Sequence, residues 1–381
     1  MRRKIWIGLF IFLLSGIVTL SRAADEQDFF GKIEEKSQAI KSRYCPDRRT
    51  SVWNVSFMTV GDQLSVSGET DSREAWQDFR QWLQNNSAEM DLDYAVRLLP
   101  DSTVSANNFA LPINSVATLR REPSVTVEMV TQTLRGLPLE VLKQERGFLL
   151  VRTDDGYLGW VSDDSVFWGG DSLRQVWETS PKAVYTQVEG VAYAKKSRKS
   201  VPVFDVVLGN RLKRIKAGWR WTLVESPDGK RAYLRSRDVI DFDEYQQRSP
   251  EAGSILETAV QLRGRPYLWG AASPKFMDCS GFTQTVFRHN GMLLQRDASM
   301  QVHQGTAVDT TGFPARLQPG DLVFFSPVPH RITHVGIYIG DSQFIHCAGE
   351  VKINSFDPRD KNYNNYRHRS IRQVRRVIPG K

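Results

Sequence analysis

The sequence has little cysteine and histidine for its length of 381 residues. Three cysteines are too few for a fold held by several disulfides, and the odd number leaves at least one thiol unpaired within the molecule. The six histidines all lie between residues 289 and 368, so chemistry that needs histidine belongs to the last third of the chain. Hydrophobic residues make up 40% and charged residues 25%, which excludes wholesale disorder and a membrane protein with many spans.

The first 23 residues contain no acid and have the pattern of an export signal. A basic stretch at 2–4 precedes an apolar run at 5–20, and small residues stand at positions −3 and −1 of a cut after Ala23. We therefore expect a signal peptide at 1–23 and a mature protein exported to the periplasm or cell envelope. An uncleaved anchor is the alternative. No cysteine follows the run closely, so a lipid anchor is not expected.

Basic residues outnumber acidic ones, and the excess is local. The formal net charge is +8, of which the first 23 residues supply half. The rest is concentrated at 195–199 and at 367–381, which we interpret as solvated surface. Attraction to an anionic cell-surface polymer or to nucleic acid is the alternative. We expect no nucleic-acid partner and no stable membrane insertion after signal cleavage, and the oligomeric state is left open.

Residues 24–112 favour a mainly helical segment. Apolar side chains recur at spacings of three and four, as in Trp76, Phe79 and Leu83, and a short strand-like stretch lies at 52–57. We expect an N-terminal helical cap region here, and its role stays open.

Short strands with Gly/Asp turns every 8–12 residues follow, and they are typical of small β-barrels. The stretch 155–161 (DGYLGWV) recurs as 228–234 (DGKRAYL) at an offset of 73, and 147–151 matches 218–224 with two extra residues. Two copies of one barrel are predicted, at 113–172 and 173–246. The stretches "LRREPSVTVEMV" (119–130) and "GYLGWV" resemble bacterial SH3-type modules.

The segment 250–381 has an α+β pattern and contains a candidate nucleophile. A short helix at 254–262 ends before Pro266, and a second helix opens at Asp278 and Cys279 and ends near Gly291. At a helix N-terminus, unpaired amides and the positive end of the dipole favour thiolate over thiol. The same amides can hold an oxyanion.

Two histidines stand on an alternating hairpin at 333–348. With a three-residue loop at 340–342, Ile339 pairs with Gln343 and His346 is a same-face diagonal neighbour of His334. A two-residue loop would instead put the two imidazoles on opposite faces. The first register predicts Cys279 as nucleophile, His334 as general base and acid, and His346 as the group that fixes the tautomer of His334.

Each of these residues also has an ordinary structural interpretation. A lone cysteine near a helix start is often a small core residue, and a lone strand histidine is often a satisfied polar group. A zinc site is a further rival, but one cysteine with two histidines and no Cys-x-x-Cys pair is a poor ligand set. We expect no metal and no cofactor.

Five stretches in order, "YLWGAASPKFMDCSGFTQTVFRHNG", "RDASMQ", "PGDLVFF", "HVGIYIG" and "FIHCAG", resemble the NlpC-type cell-wall cysteine peptidases. The resemblance covers about 250–381. It implies a papain-like α+β domain with Cys279 as nucleophile, His334 as base and His346 as third member. With two SH3-type modules ahead of it, the chain resembles the dipeptidyl-peptidase-like branch of γ-D-glutamyl-L-diamino acid endopeptidases.

That resemblance also implies the substrate-binding residues. Asp278 and Ser280 would contact the D-Glu side, Asp297 would bind the free ammonium of L-Ala, and Glu122 and Tyr157 of the first module would complete the ammonium pocket. Acids around a desolvated cation pair with it and exclude an N-terminal extension.

The predicted function is hydrolysis of the D-γ-glutamyl to diamino-acid bond of murein peptides that have a free N-terminal L-Ala. An enzyme that remodels intact peptidoglycan, with modules that only bind the wall, is the first alternative. An inactive wall-binding adaptor is the second. The third substrate residue, diaminopimelate or Lys, is left open.

Overall fold

A computed structural model describes residues 28–60, 62–87 and 90–379. The chain divides into two compact units between Asp101 and Ser102. The predicted signal peptide lies outside the described residues. Among the described helices, none has both the length and the apolar character of a membrane span.

The first unit is an α/β fold. Its elements are α1 (28–44), β1 (Trp53–Val60), β2 (Gln63–Thr70), α2 (Arg73–Asn86) and β3 (Asp91–Leu98). Strands β1 and β2 are antiparallel, whereas β2 and β3 are parallel and are connected through α2. The predicted helical stripe is buried, with Phe79 and Leu83 fully covered. The three-stranded sheet is a feature that the expectation of a mainly helical cap did not include.

Two seven-stranded barrels open the second unit. The first contains β4 (Phe109–Pro112), β5 (Val116–Arg120), β6 (Met129–Leu134), β7 (Leu139–Glu145), β8 (Phe148–Arg152), β9 (Leu158–Ser162) and β10 (Val166–Gly169), followed by α3 (Asp171–Thr179). The second contains β11 (Lys182–Tyr185), β12 (Glu189–Tyr193), β13 (Pro202–Val207), β14 (Arg211–Lys216), β15 (Trp221–Glu225), β16 (Arg231–Arg235) and β17 (Val239–Asp241), followed by α4 (Phe242–Gln246).

The two barrels have the same strand order. The first reads β10-β4-β7-β8-β9-β5-β6, and the second reads β17-β11-β14-β15-β16-β12-β13. Leu150 pairs with Trp160 and Leu223 pairs with Tyr233, so the offset of 73 also holds upstream of the Asp-Gly turn. In the predicted match of 147–151 with 218–224, Phe148 corresponds to Trp221, so the two extra residues fall in the preceding turn.

The last part of the chain is an α+β domain. Its elements are α5 (Ala252–Gln261), α6 (Cys279–His289), α7 (Ala298–Gln301), β18 (Thr306–Ala307), β19 (Leu322–Phe325), β20 (His334–Gly340), β21 (Gln343–Ala348), β22 (Glu350–Ser355), α8 (Asn365–Arg369) and β23 (Ile371–Arg376). The six strands form one antiparallel sheet in the order β18-β23-β19-β20-β21-β22. Apolar residues of α5 and α6 form one core with this sheet, so the start of α6 lies over β20.

Candidate active site

Cys279 is the first residue of α6, and the sequence around it explains why the helix starts there. Asp278 is the N-cap, and its Oδ1 accepts a hydrogen bond of 2.7 Å from the Gly281 amide. A Cβ at Gly281 would lie 2.1 Å from the Ala271 carbonyl oxygen, so only glycine allows the preceding loop to pack against this first turn. The Asp-Cys-Ser-Gly stretch therefore holds the thiol at a fixed, nearly buried position, 8% exposed.

The surroundings of Cys279 favour the protonated thiol. Burial raises the pKa of Cys279 to about 12, and the negative charge of Asp278 acts in the same direction. Hydrogen bonds from the backbone amides of Val335 and Ser280 oppose this shift without reversing it. The expectation that the helix start alone stabilises a thiolate is therefore not met, because desolvation and the neighbouring carboxylate outweigh the dipole.

The predicted hairpin contains both histidines on one face, although its turn differs from the three-residue loop on which that prediction rested. Ile337 pairs with Ile345 as the three-residue loop requires, but a bulge at Ile339 makes Gly340 the partner of Gln343. Asp341 and Ser342 then form a two-residue turn with φ of 47° and 59°. The predicted Ile339 to Gln343 pairing is wrong. The predicted facing of the imidazoles is present because the bulge restores the register.

A chain of hydrogen bonds fixes the tautomers of both imidazoles. His334 Nε2 lies 2.8 Å from His346 Nδ1, and His346 Nε2 lies 2.9 Å from Asn354 Oδ1. The Asn354 amide is oriented by its own partners, since its Nδ2 donates to the Asn362 carbonyl and its Oδ1 accepts from Asn364 Nδ2.

An oxygen at Asn354 can only accept, so His346 carries its proton on Nε2 and presents a lone pair at Nδ1. That lone pair accepts the Nε2 proton of His334, which leaves Nδ1 of His334 as the basic nitrogen. Asn354 therefore sets the direction of the whole relay, and sequence reasoning missed it because the relay needs β22 beside β21.

Both histidines are neutral bases. Burial lowers the pKa of His334 well below its usual value, with Arg367 and His346 adding to the effect. Burial likewise lowers the pKa of His346 to about 4, although its hydrogen bond to Asn354 opposes the shift. A neutral imidazole beside a protonated thiol can take the thiol proton as the sulfur attacks a carbonyl carbon.

Tyr267 is a second residue at the thiol that sequence reasoning missed. Burial raises the pKa of Tyr267, and the charges of Cys279 and Asp278 raise it further. The phenol consequently keeps its proton and can donate a hydrogen bond. A donor of this kind can stabilise an oxyanion together with the amides at the start of α6.

Arg296 links α6, the helix that begins at Cys279, to the first barrel. Its guanidinium binds both carboxylate oxygens of Asp278, at 3.1 and 2.6 Å, and donates to Ser280 Oγ at 3.1 Å. Its Nε donates to Thr131 Oγ1 on β6 at 2.8 Å. Burial alone would lower the pKa of Arg296, but the ion pair with Asp278 raises it, so the guanidinium is a cation.

The side chains of Asp278 and Ser280 are thus engaged in holding the start of α6. Asp278 Oδ2 also accepts from the Gly270 amide, and Ser280 Oγ donates to Asp278 Oδ1. Their contact with the D-Glu side of a substrate stays a prediction.

The structure brings together two of the three residues predicted for the ammonium pocket. Tyr157 of the first barrel donates its hydroxyl to Asp297 Oδ2 at 3.1 Å, across two domains. Glu122 is exposed in the loop between β5 and β6, and its part in the pocket stays a prediction.

The described residues contain no cluster of three or more histidine, cysteine or acidic side chains that could hold a metal ion. His330 stands four positions before His334, a spacing used by zinc ligands, but it is exposed on the preceding loop whereas His334 is buried. All three cysteines, Cys45, Cys279 and Cys347, are free and buried.

Comparison with known proteins agrees with this arrangement. The NlpC/P60 family matches residues 264–376, and the bacterial dipeptidyl-peptidase SH3 domain matches residues 119–166. Dipeptidyl-peptidase 6 of Lysinibacillus sphaericus is 28% identical over 274 residues, which are 67% of this chain and 94% of that protein. A γ-D-glutamyl-L-lysine dipeptidyl-peptidase of Bacillus cereus is 28% identical over 230 residues, 58% of this chain and 67% of that protein.

The crystal structure of an NlpC/P60 family protein from Bacillus cereus has the same fold. Its TM-score is 0.61 at 24% identity, and the likeness covers 71% of this chain and all of that one. The chain therefore carries an NlpC/P60 family domain behind a bacterial dipeptidyl-peptidase SH3 domain, and it is a cysteine peptidase.

Proposed function

We propose that the protein hydrolyses the D-γ-glutamyl to diamino-acid bond of murein peptides that begin with a free L-Ala, in the turnover or recycling of cell-wall peptides. The observation that carries this proposal is the hydrogen bond between Tyr157 and Asp297. In this contact an acid of the peptidase domain accepts a hydrogen bond from a phenol of the first barrel. Two relatives named as dipeptidyl-peptidases align with 67% and 58% of this chain, and that name denotes release of a dipeptide.

The proposed mechanism starts from the neutral pair. Cys279 Sγ attacks the γ-carbonyl carbon while its proton moves to Nδ1 of His334, and the oxyanion accepts hydrogen bonds from Tyr267 and the amides of α6. The C–N bond then breaks as His334 gives the proton to the leaving amine. Water, deprotonated by His334, hydrolyses the thioester and restores the thiol.

The residues that surround the thiol have distinct roles in this scheme. His346 and Asn354 keep the basic nitrogen of His334 directed to Cys279, so they are positioning residues. Asp297 and Tyr157, with Glu122, bind the substrate ammonium one dipeptide before the cut bond.

The test is mass spectrometry of the products of L-Ala-γ-D-Glu-diaminopimelate. We expect release of the dipeptide L-Ala-D-Glu and free diaminopimelate. Cys279→Ala should abolish turnover while the protein stays folded, since one thiol becomes a hydrogen at a nearly buried position. His334→Ala should be nearly as damaging and His346→Ala less so, because a base moves the proton whereas an orienting group fixes a tautomer. Cleavage at another bond, or retained cleavage by Cys279→Ala, would refute the proposal.

Remodelling of intact peptidoglycan is the competing function. In intact murein the L-Ala amine is acylated, so the contact between Tyr157 and Asp297 favours released peptides over the polymer. Solubilisation of purified sacculi at a rate similar to that for the free peptide would favour the polymer instead.

A further inference from the structure

Arg367 is the first residue of the basic C-terminal stretch, and it lies at the active site. Its Cζ is 5.6 Å from the ring centroid of Phe325, and that centroid is 5.7 Å from the centroid of His334. The sequence indicated solvated surface for 367–381, whereas this guanidinium is half-buried beside the catalytic base.

The backbone of Arg367 is fixed to the same relay that orients the histidines. Asn364 caps α8 by accepting a 3.0 Å hydrogen bond from the Arg367 amide, and its Nδ2 donates to Asn354 Oδ1 at 3.0 Å. Asn354 is the residue bound to His346. The backbone that carries the guanidinium is therefore held in place by Asn364 and Asn354.

Within the described residues, the Arg367 guanidinium has no ion pair and no hydrogen bond, and its close partners are the rings of Phe325 and Tyr366. By contrast, the guanidinium of Arg296 donates hydrogen bonds to both carboxylate oxygens of Asp278. A half-buried cation without an acidic partner is unfavourable unless an anion joins it. Burial lowers the pKa of Arg367, while the charges of Tyr366 and Cys279 raise it, so it stays a cation near the thiol.

The location of this cation selects one side of the scissile bond. The acid predicted for the substrate ammonium, Asp297, contacts Tyr157 of the first barrel. Arg367 is instead packed beside His334, the residue that gives a proton to the leaving amine. A carboxylate that reaches Arg367 therefore belongs to the leaving group.

We propose that Arg367 is a specificity-determining residue that binds the distal carboxylate of the third substrate residue. Diaminopimelate has this carboxylate and Lys does not, so diaminopimelate is the better substrate. This inference rests on the proposed function and names the diamino acid that the sequence left open. Planar guanidinium suits bidentate recognition of a carboxylate, and its ring contacts hold the plane in place.

The experiment measures cleavage of four peptides by the full-length protein. Three consist of L-Ala-γ-D-Glu followed by diaminopimelate, by diaminopimelate amidated at the distal carboxyl, or by Lys. The fourth is the diaminopimelate peptide with D-isoglutamine in place of D-Glu. For the wild type we expect kcat/KM for diaminopimelate to exceed that for its amide by roughly tenfold to hundredfold. Arg367→Gln should bring this ratio close to one, and Arg367→Lys should restore part of it.

Arg369→Gln is the matched control, since Arg369 is an exposed arginine on the same helix, and it should keep the wild-type ratio. Thermal melting of each variant reports whether it is folded.

Three outcomes would overturn the inference. One is an equal loss of activity by Arg367→Gln on every peptide, which would make Arg367 only a support for His334. Another is a wild-type ratio near one for diaminopimelate against its amide. The third is a lower kcat/KM for the D-isoglutamine peptide that disappears in Arg367→Gln, because Arg367 would then bind the carboxylate of D-Glu. No cleavage of any peptide by the wild type would instead refute the proposed function.

Discussion

The two barrels share a strand order and an offset of 73 residues, yet among the described hydrogen bonds only side chains of the first barrel reach Arg296 and Asp297. Thr131 and Tyr157 of the first barrel contact Arg296 and Asp297. Further contacts to the peptidase domain come from Gln132 to the Ala272 amide, Glu128 to Trp269, Asp155 to Gln284 and Asp154 to Arg288. Side chains of the first barrel thus help to hold residues of the peptidase domain in place.

The corresponding positions of the second barrel cannot do the same. Lys230 stands where the first barrel has Tyr157, and Lys195 stands where it has Glu122. The ion pairs between the second barrel and the peptidase domain, Lys275 to Asp205 and Arg265 to Glu189, are exposed. The comparison teaches that one scaffold can carry different side chains at the same loop positions, with a lysine in place of a tyrosine or a glutamate.

Breaking the buried link of the first barrel should have the largest effect. Arg296→Leu leaves the Asp278 carboxylate buried without its partner, and such a loss costs about 3–5 kcal/mol of folding free energy. We also expect loss of detectable turnover, because Asp278 caps the helix of Cys279. Urea unfolding and kcat/KM measure both effects.

Lys275→Ala is the matched control for that link. It removes an exposed ion pair to the second barrel, which contributes at most about 1 kcal/mol. A loss of activity as severe as that of Arg296→Leu would contradict the distinction between the barrels.

Exchanging the residues at one shared position should have the next largest effect. Tyr157→Lys gives the first barrel the residue of the second, and its ammonium would pair with Asp297 in place of the substrate. We expect kcat/KM for the free-amine peptide to fall by roughly 100-fold, since each ~1.4 kcal/mol is a factor of ten. The reciprocal Lys230→Tyr should change kcat/KM by less than about twofold, and a larger change would show that the second barrel also serves the site.

The loop acid should matter less. Glu122 is exposed, so solvent screens its interaction with the substrate ammonium. We therefore expect Glu122→Lys to raise KM for the free-amine peptide by only about tenfold. Raising the salt concentration should shrink this effect. Lys195→Glu in the second barrel is the control, and an equal response of both variants would argue for a general surface field instead of a pocket.

The smallest effect is expected at the most exposed ring of the second barrel. Trp219 is 92% exposed, so Trp219→Ala should leave kcat/KM unchanged and alter stability by no more than about 0.5 kcal/mol. Steady-state kinetics on the same peptide check this directly.

The sequence predicted the features that depend on residues close together in the chain. The Asp-Gly turns revealed the barrel repeat, and the alternation around His334 and His346 placed both on one face. The bulge at Ile339 was not predictable in this way, because it depends on how Asp341 and Ser342 close the turn. Strand β3 was also missed, since its pairing with β2 joins segments separated by α2.

The charged residues of the site were harder to predict because their partners are distant in the chain. Arg296 contacts Thr131 and Asp278, which lie 165 and 18 positions away. Arg367 belongs to a stretch whose composition suggests only solvated surface, and its location depends on α8 packing against β19. The sequence motif "RDASMQ" contained a signal for Arg296, but nothing local indicated that its charge would be buried.

The most direct test of the account compares L-Ala-γ-D-Glu-diaminopimelate with its N-acetylated form. Acetylation removes the ammonium that Asp297 and Tyr157 would bind, and each charge-assisted hydrogen bond lost costs about 1.5–3 kcal/mol. The account predicts that kcat/KM falls by about 100-fold or more, and that Asp297→Ala narrows this difference while lowering activity on the free peptide. Equal cleavage of the two peptides by the wild-type protein would contradict it.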